Sequence, residues 1–152
     1  MKNLAIITFV LFLSHCGYSS VYKDQKFLNF QLDIIETKGD YEMNNLITNE
    51  IKLYSSKVSQ KIYYIKIDTD YEKEVLAKDS SGVITDYNLS VTSVFSVDLN
   101  NKNKTFKFEE NINIKNQTDT FEQNTYEKNI KRNFASSIRE KLILAILNTN
   151  DN

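Results

Sequence analysis

Proline is absent from this 152-residue sequence, glycine occurs three times, and cysteine and histidine occur once each. Beside abundant Asn, Lys and Ile, that scarcity reads as the codon bias of an AT-rich genome and carries little about function. One cysteine excludes an intrachain disulfide. Gly17, Gly39 and Gly82 each stand alone, which excludes a glycine-rich phosphate loop. An excess of charge is missing too. Nineteen basic and 20 acidic residues give a net charge of −1, without the basic field of a nucleic-acid binder, so no nucleic-acid partner is expected. What is present is ordinary for a globular chain: 41% hydrophobic and 26% charged residues, enough for one domain with its own core.

The first segment has the shape of an export leader. Lys2 supplies a positive start, and Leu4 to Leu13 form an apolar stretch too short to span a bilayer, which needs about 20 residues. Behind it stands Leu13-Ser14-His15-Cys16. A cysteine three residues after an aliphatic residue, at the end of such a stretch, resembles the lipobox of bacterial lipoproteins. There the thiol is acylated and the peptide is cut before the cysteine. His15 stands where Gly, Ala or Ser is usual. The alternatives are an ordinary secretory peptide, or a short buried helix in which Cys16 is a small apolar residue. Two or three acyl chains on Cys16 would hold the protein firmly, since each buried methylene contributes about 0.8 kcal/mol. Gly17, rather than Asp, follows the cysteine, which favours the outer membrane over inner-membrane retention. The expected division is 1–15 leader, 16–25 lipidated tether, 26–148 one folded domain and 149–152 tail.

Periodicity predicts the elements of the mature chain. Phe27 to Glu36 alternates, with Leu28, Phe30, Leu32 and Ile34 on one face, as a half-buried strand does. Gly39 breaks the pattern, and Asp40 is a candidate helix cap. Met43, Ile47, Ile51, Tyr54 and Val58 then follow at helical spacing, with Leu46 beside them. Ile62 to Leu76 reads as a long strand with Tyr63, Ile65, Ile67, Tyr71 and Val75 facing in. Asp79 to Gly82 is a turn. Val83 to Leu99 alternates most cleanly, with Val83, Tyr87, Leu89, Val91, Phe95, Val97 and Leu99 inward. After a turn at Asn100 to Asn103, a fourth strand puts Phe106, Phe108, Ile112 and Ile114 inward. A polar loop over Asn116 to Asn124 leads to a long helix with the stripe Tyr126, Ile130, Phe134, Ile138 and Leu142. Its apolar end, Leu142 to Leu147, predicts burial on more than one side. The order is β-α-β-β-β-α. Two one-sided helices must cover a sheet with a one-sided apolar face, so the expected fold is α+β. It is a two-layer sandwich of a four-stranded sheet with two helices on one face.

Catalytic chemistry is scarce. With residues 1–15 removed, the mature chain has no imidazole and its one thiol carries lipid. Ser-His-Asp and Cys-His catalysis are then excluded, as are zinc sites of His or Cys. Asp68, Asp70, Glu72 and Glu74 recur every second residue and project from one strand face. They could hold a hard cation or supply an acid/base pair. A solvated strand face is the preferred account, because nothing in the sequence withdraws them from water. No enzyme activity, cofactor or metal is expected. Outward Ser90, Thr92 and Ser96, with Thr105, Lys107, Glu109, Asn111, Asn113 and Lys115, suit either bulk water or a wet, polar partner surface.

The lipobox followed by Gly17-Tyr18, the β-α-β-β-β-α order, and the run Gly82-Val83-Ile84-Thr85-Asp86-Tyr87-Asn88-Leu89-Ser90-Val91 leading into Val94-Phe95 resemble the LPS-assembly lipoprotein LptE family. So does the closing helix with Phe134-Ala135 and Arg139-Glu140-Lys141-Leu142-Ile143. The resemblance spans the mature chain in layout. It implies a lipid-anchored protein on the periplasmic side of the outer membrane, lodged in the LptD β-barrel, which it plugs and helps to assemble. It also implies contact with lipopolysaccharide in transit to the cell surface. Basic residues near the loop before the Gly turn and near the last helix make that contact in the family. Here Lys78 is the candidate in the loop, and Lys128, Lys131 and Arg132 are candidates on the helix; a plain solvated surface is the alternative for all four. A periplasm-facing binding module, or an accessory to an envelope ABC transporter, is the other reading of the chain.

Overall fold

A computed structural model describes residues 30–55, 59, 61–99 and 102–150. Cys16, the leader, the tether, the first residues of the predicted first strand (27–29) and Val58 lie outside the described residues. The elements are β1 (Gln31–Gly39), α1 (Tyr41–Tyr54), β2 (Ile62–Lys78), β3 (Ile84–Leu99), β4 (Lys102–Lys115) and α2 (Thr120–Asn150). The strands form one mixed sheet in the order β1-β2-β3-β4. This is the α+β architecture expected from the sequence.

β1 pairs with β2 in parallel, the pairing that a helical crossover permits and a tight hairpin does not. The register shifts between Ile34 and Glu36, leaving Ile35 as a bulged residue. Side chains alternate across a strand, so the extra residue reverses the faces beyond it. Leu32 and Ile34 point to the core, whereas Glu36 and Lys38 turn outward beside Lys66. At the end of β1, Gly39 has φ +82, and a Cβ built there would lie 2.0 Å from the Thr69 carbonyl oxygen of β2. Only glycine fits that approach. Asp40 then caps α1: its Oδ1 accepts from the Met43 amide at 2.8 Å, while its own amide donates to Thr69 O at 2.7 Å. Met43, Ile47 and Ile51 form the buried stripe. Ser55 closes the helix and ties it back to β1, accepting from the Leu32 amide at 2.8 Å.

β2 and β3 form a long antiparallel hairpin. In its turn, Asp79 Oδ1 accepts from the amides of Ser81 and Val83 at 2.8 and 2.9 Å. β4 pairs with β3 from Asp86↔Lys115 to Leu99↔Lys102. The core joins Tyr63, Ile65 and Ile67 with Leu89, Val91, Phe95 and Val97 beneath the helices. The sequence pattern passed over one inward pair. Thr69 and Ser93 are fully buried and hydrogen-bonded to each other at 3.1 Å, each satisfying the other in an apolar layer.

α2 begins earlier than its apolar stripe suggests. Asp119 Oδ1 accepts from the Glu122 amide at 2.9 Å, and Gln123 Oε1 reaches back to the Gln117 amide at 2.8 Å. These caps bring part of the predicted loop into the helix. The buried stripe is Ile130, Phe134, Ile138, Leu142 and Ile146, with Ala135 and Arg139 beside it. Tyr126 lies off this stripe and is exposed, and Leu144 and Leu147 are exposed too, so the apolar end of the helix is buried on one side only. Lys131 pairs with Glu42 at 2.6 Å and Arg139 with Glu50 at 3.7 Å. Both partners advance together along the chain, so α1 and α2 lie side by side and run the same way. Val75 is inward near the tip yet exposed, Val83 lies exposed in the turn before β3, and Ile112, inward on the edge strand β4, is exposed although Ile114, nearer the tip, is buried.

Candidate functional site

With both helices on one side, the other side of the sheet is open among the described residues. β2 contributes Tyr64, Lys66, Asp68, Asp70, Glu72 and Glu74 to it. Cross-strand register sets Asp70 beside Thr92 and Glu109, Glu72 beside Ser90 and Asn111, and Lys66 beside Ser96 and Thr105. Asn88 donates to Asn113 Oδ1 at 2.7 Å across β3 and β4. The result is a lane of hydroxyls and amides along β3, with a line of carboxylates on β2. Near the start of β1, the bulged Ile35 and Tyr64 edge a shallow depression of about 490 Å³ with Lys66, Ser96, Asp98, Asn103 and Thr105.

Ion pairs organise the rim of this face. Glu36 accepts from Lys66 at 2.9 Å and from Lys38 at 3.1 Å, and bonds and charge from both lysines hold its carboxyl below the usual range. Lys107 does the same for Glu109. The pattern Ile34-Ile35 held the signal for this arrangement, since two adjacent apolar residues break a strict alternation. Asp68, Asp70, Glu72 and Glu74 are exposed along the strand, and among the described residues no three acidic, His or Cys side chains converge to hold a metal. Nor does any described helix have the length and apolarity to cross a membrane.

The basic candidates do not come together. Lys78 ends β2 at the exposed hairpin tip, without an ion-pair partner among the described residues. Lys131 lies seven residues back at the level of Tyr71, roughly 23 Å away along the strand. Its ammonium sits 4.2 Å from the Tyr71 ring and pairs with Glu42, so it fastens helix to sheet. Lys128 borders a small depression with Glu42, Asn124, Glu127 and Lys131, and Arg132 is exposed and bonds Asn129 at 3.5 Å. Lys73 pairs with Glu127 and lies 4.1 Å from the Tyr87 ring. Burial opposes ionisation of Glu127, but bonds from Lys73 and Gln123 and the charges of Lys73 and Lys131 outweigh it and lower its pKa.

Two solved lipoproteins share this architecture. Rare lipoprotein B from Shewanella oneidensis superposes with a TM-score of 0.60 at 15% identity, covering 80% of this chain and 97% of that one. A Caulobacter crescentus protein classed as a lipoprotein gives 0.54 at 8% identity, covering 80% and 92%. At these identities the likeness is one of fold. No family model matches the chain, and no curated protein matches it.

Tyr71 lies at the same helix–sheet junction. Its hydroxyl is buried without a hydrogen-bond partner. Burial first, and then the charges of Glu127, Glu42 and Asp40, push its pKa up to about 12. The unfolded chain, with a phenol near 10, ionises first. The stability contributed by the neutral phenol is therefore complete below pH 10 and is lost as pH rises through 12. Tyr71→Phe is expected to match or exceed wild type by about 1 kcal/mol at pH 7, since it removes an unpaired hydroxyl. It should also lose less stability than wild type between pH 10 and 12. Urea midpoints across that range check both statements.

Proposed function

We propose that this protein is an LptE-like, non-catalytic lipoprotein, held by lipid on Cys16 at the periplasmic side of the outer membrane. There it docks in an LptD-type β-barrel, plugs it and helps it assemble, and serves lipopolysaccharide transport. The observation that carries the reading is the sheet. One face is covered by two helices, while the other presents hydroxyls, amides and charges over most of three long strands. A wall of that kind suits the polar interior of a large barrel. The lipobox-like Leu13-Ser14-His15-Cys16 and the fold shared with solved lipoproteins support the same assignment. Lys78, exposed at the hairpin tip, is the residue that would contact a lipopolysaccharide phosphate.

The test is affinity purification of the tagged protein from detergent-solubilised outer membranes. A very large β-barrel protein should co-purify in near-stoichiometric amount, and depletion should stop lipopolysaccharide reaching the surface. Recovery of the protein alone, or with an inner-membrane complex, would replace this reading by that of a binding module or transporter accessory. An activity lost in Asp68→Asn and Asp70→Asn without unfolding would replace it by an enzyme.

A further inference from the structure

The two ends of the domain differ in charge. Strands β2 and β3 run between an entry end, where β1 begins at Gln31 beside Ile62, and a tip at Asp79 to Gly82. Toward the tip the carboxylates of Glu72, Glu74, Asp86 and Asp119 outnumber the lysines Lys78 and Lys115. Among the described residues of the entry end the balance reverses, with Lys52, Lys61, Lys102 and Lys104 against Asp33 and Asp98.

Three exposed lysines flank it: Lys52 borders β1 at one edge of the sheet, beside Leu32, Asp33 and Ile34, and Lys102 and Lys104 lie on β4 at the other. Lys52 is in the last turn of α1. Lys102 and Lys104 start β4 opposite Leu99 and Val97, so both project to the helix side of the sheet. None of the three pairs with a described carboxylate. The same end carries apolar surface: Leu53 is 76% exposed, Leu144 59% and Leu147 37%. The ion pairs Glu42–Lys131 and Glu50–Arg139 fix the helix register at a constant offset, which places Leu53 level with Leu142 and Ile143. The exposed leucines of both helices therefore belong to one end of the helical layer.

Isolated exposed leucines are common, and lysines on an edge strand protect it from pairing. Neither account explains why both kinds meet where the chain enters the domain. From Phe30 back to Cys16 is 14 residues, which reach at most about 50 Å.

We propose that the entry end is a lipid-contacting surface, in which Lys52, Lys102 and Lys104 meet anionic headgroups and Leu53, Leu144 and Leu147 dip into the interface. Lysines near an anionic surface add attraction that salt screens, and apolar side chains beside them deepen it. The occupant is a lipid bilayer, because the surface is basic, apolar and within tether's reach of the membrane that holds Cys16. That last point alone rests on the lipoprotein reading.

Vesicle sedimentation of the mature chain carrying Cys16→Ser tests the surface without the lipid. It should bind vesicles of three parts phosphatidylethanolamine to one part phosphatidylglycerol at least about tenfold better than phosphatidylcholine vesicles, and 0.5 M NaCl should abolish the difference. The triple variant Lys52→Glu, Lys102→Glu, Lys104→Glu should lose the binding with an unchanged circular dichroism spectrum. The variant Leu76→Ser, Val83→Ser at the tip should keep it. Equal binding to both vesicle types, or loss on changing the tip rather than the lysines, overturns the proposal. An unmodified Cys16 in the native protein would sink the lipoprotein reading and leave the vesicle result standing; a lipidated Cys16 without anionic-vesicle binding would do the reverse.

Discussion

Gly39→Ala is expected to destabilise the domain by about 3 to 5 kcal/mol, a large share of the stability of a chain this size. Two effects add. A non-glycine residue in the left-handed region costs on the order of 1 kcal/mol or more. The new methyl would also lie 2.0 Å from the Thr69 oxygen, so the junction of β1 and β2 must open. Opening breaks the 2.7 Å bond from the Asp40 amide to that same oxygen and misplaces the Asp40 cap of α1, for roughly another 1 to 3 kcal/mol. Gly82→Ala is the internal control. Gly82 has nearly the same φ, +83, but open space where the Cβ would go, so it should cost about 1 kcal/mol. Urea unfolding of the two variants separates crowding from backbone strain. Equal losses would show that the approach to Thr69 does not matter.

Arg139→Ala should cost about 3 kcal/mol. The guanidinium is buried between the helices, donates to Ser136 Oγ at 2.9 Å and faces Glu50 at 3.7 Å and Glu140 at 3.5 Å. Removing it empties packed volume beneath α1 and leaves the half-buried Glu50 carboxylate without its nearest cation. Arg139→Met keeps most of the aliphatic stem, so the double variant Arg139→Met with Glu50→Gln should lie within about 1.5 kcal/mol of wild type. Thermal unfolding of both decides the point. If Arg139→Ala unfolds within a degree of wild type, the guanidinium does not hold the helices together.

The fold was legible because its elements are long and one-sided. Leu89, Val91, Phe95, Val97 and Leu99 alternate without a break, and Met43, Ile47 and Ile51 mark a helix from periodicity alone. What escaped depends on partners distant in sequence. Thr69 and Ser93 look like surface residues until the register of β2 and β3 brings their hydroxyls together in the core. The start of α2 escaped because Asp119 and Gln123 define it through backbone bonds, with no apolar spacing. Val75 and Ile112 had the right parity and the wrong burial, since alternation reports which way a side chain points but not what covers it. Of the candidate site, the outward polar rows of β2 to β4 were readable. The pairing of Lys131 with Glu42, 89 residues apart, was not, and it engages a suspected ligand contact in fastening one helix to the other.

Because α1 and α2 lie alongside with the same heading, their peptide dipoles add. Both electropositive starts face the hairpin tip, and both electronegative finishes face the entry end. At α1 the side chains are distributed in the opposite sense, with Asp40 and Glu42 by its start and Lys52 in its last turn, while α2 has Asp119 and Glu122 by its start and no basic residue in its last turn. The lysine of α1 that would meet an anionic surface thus also soothes that helix end, so folding and orientation draw on the same residue.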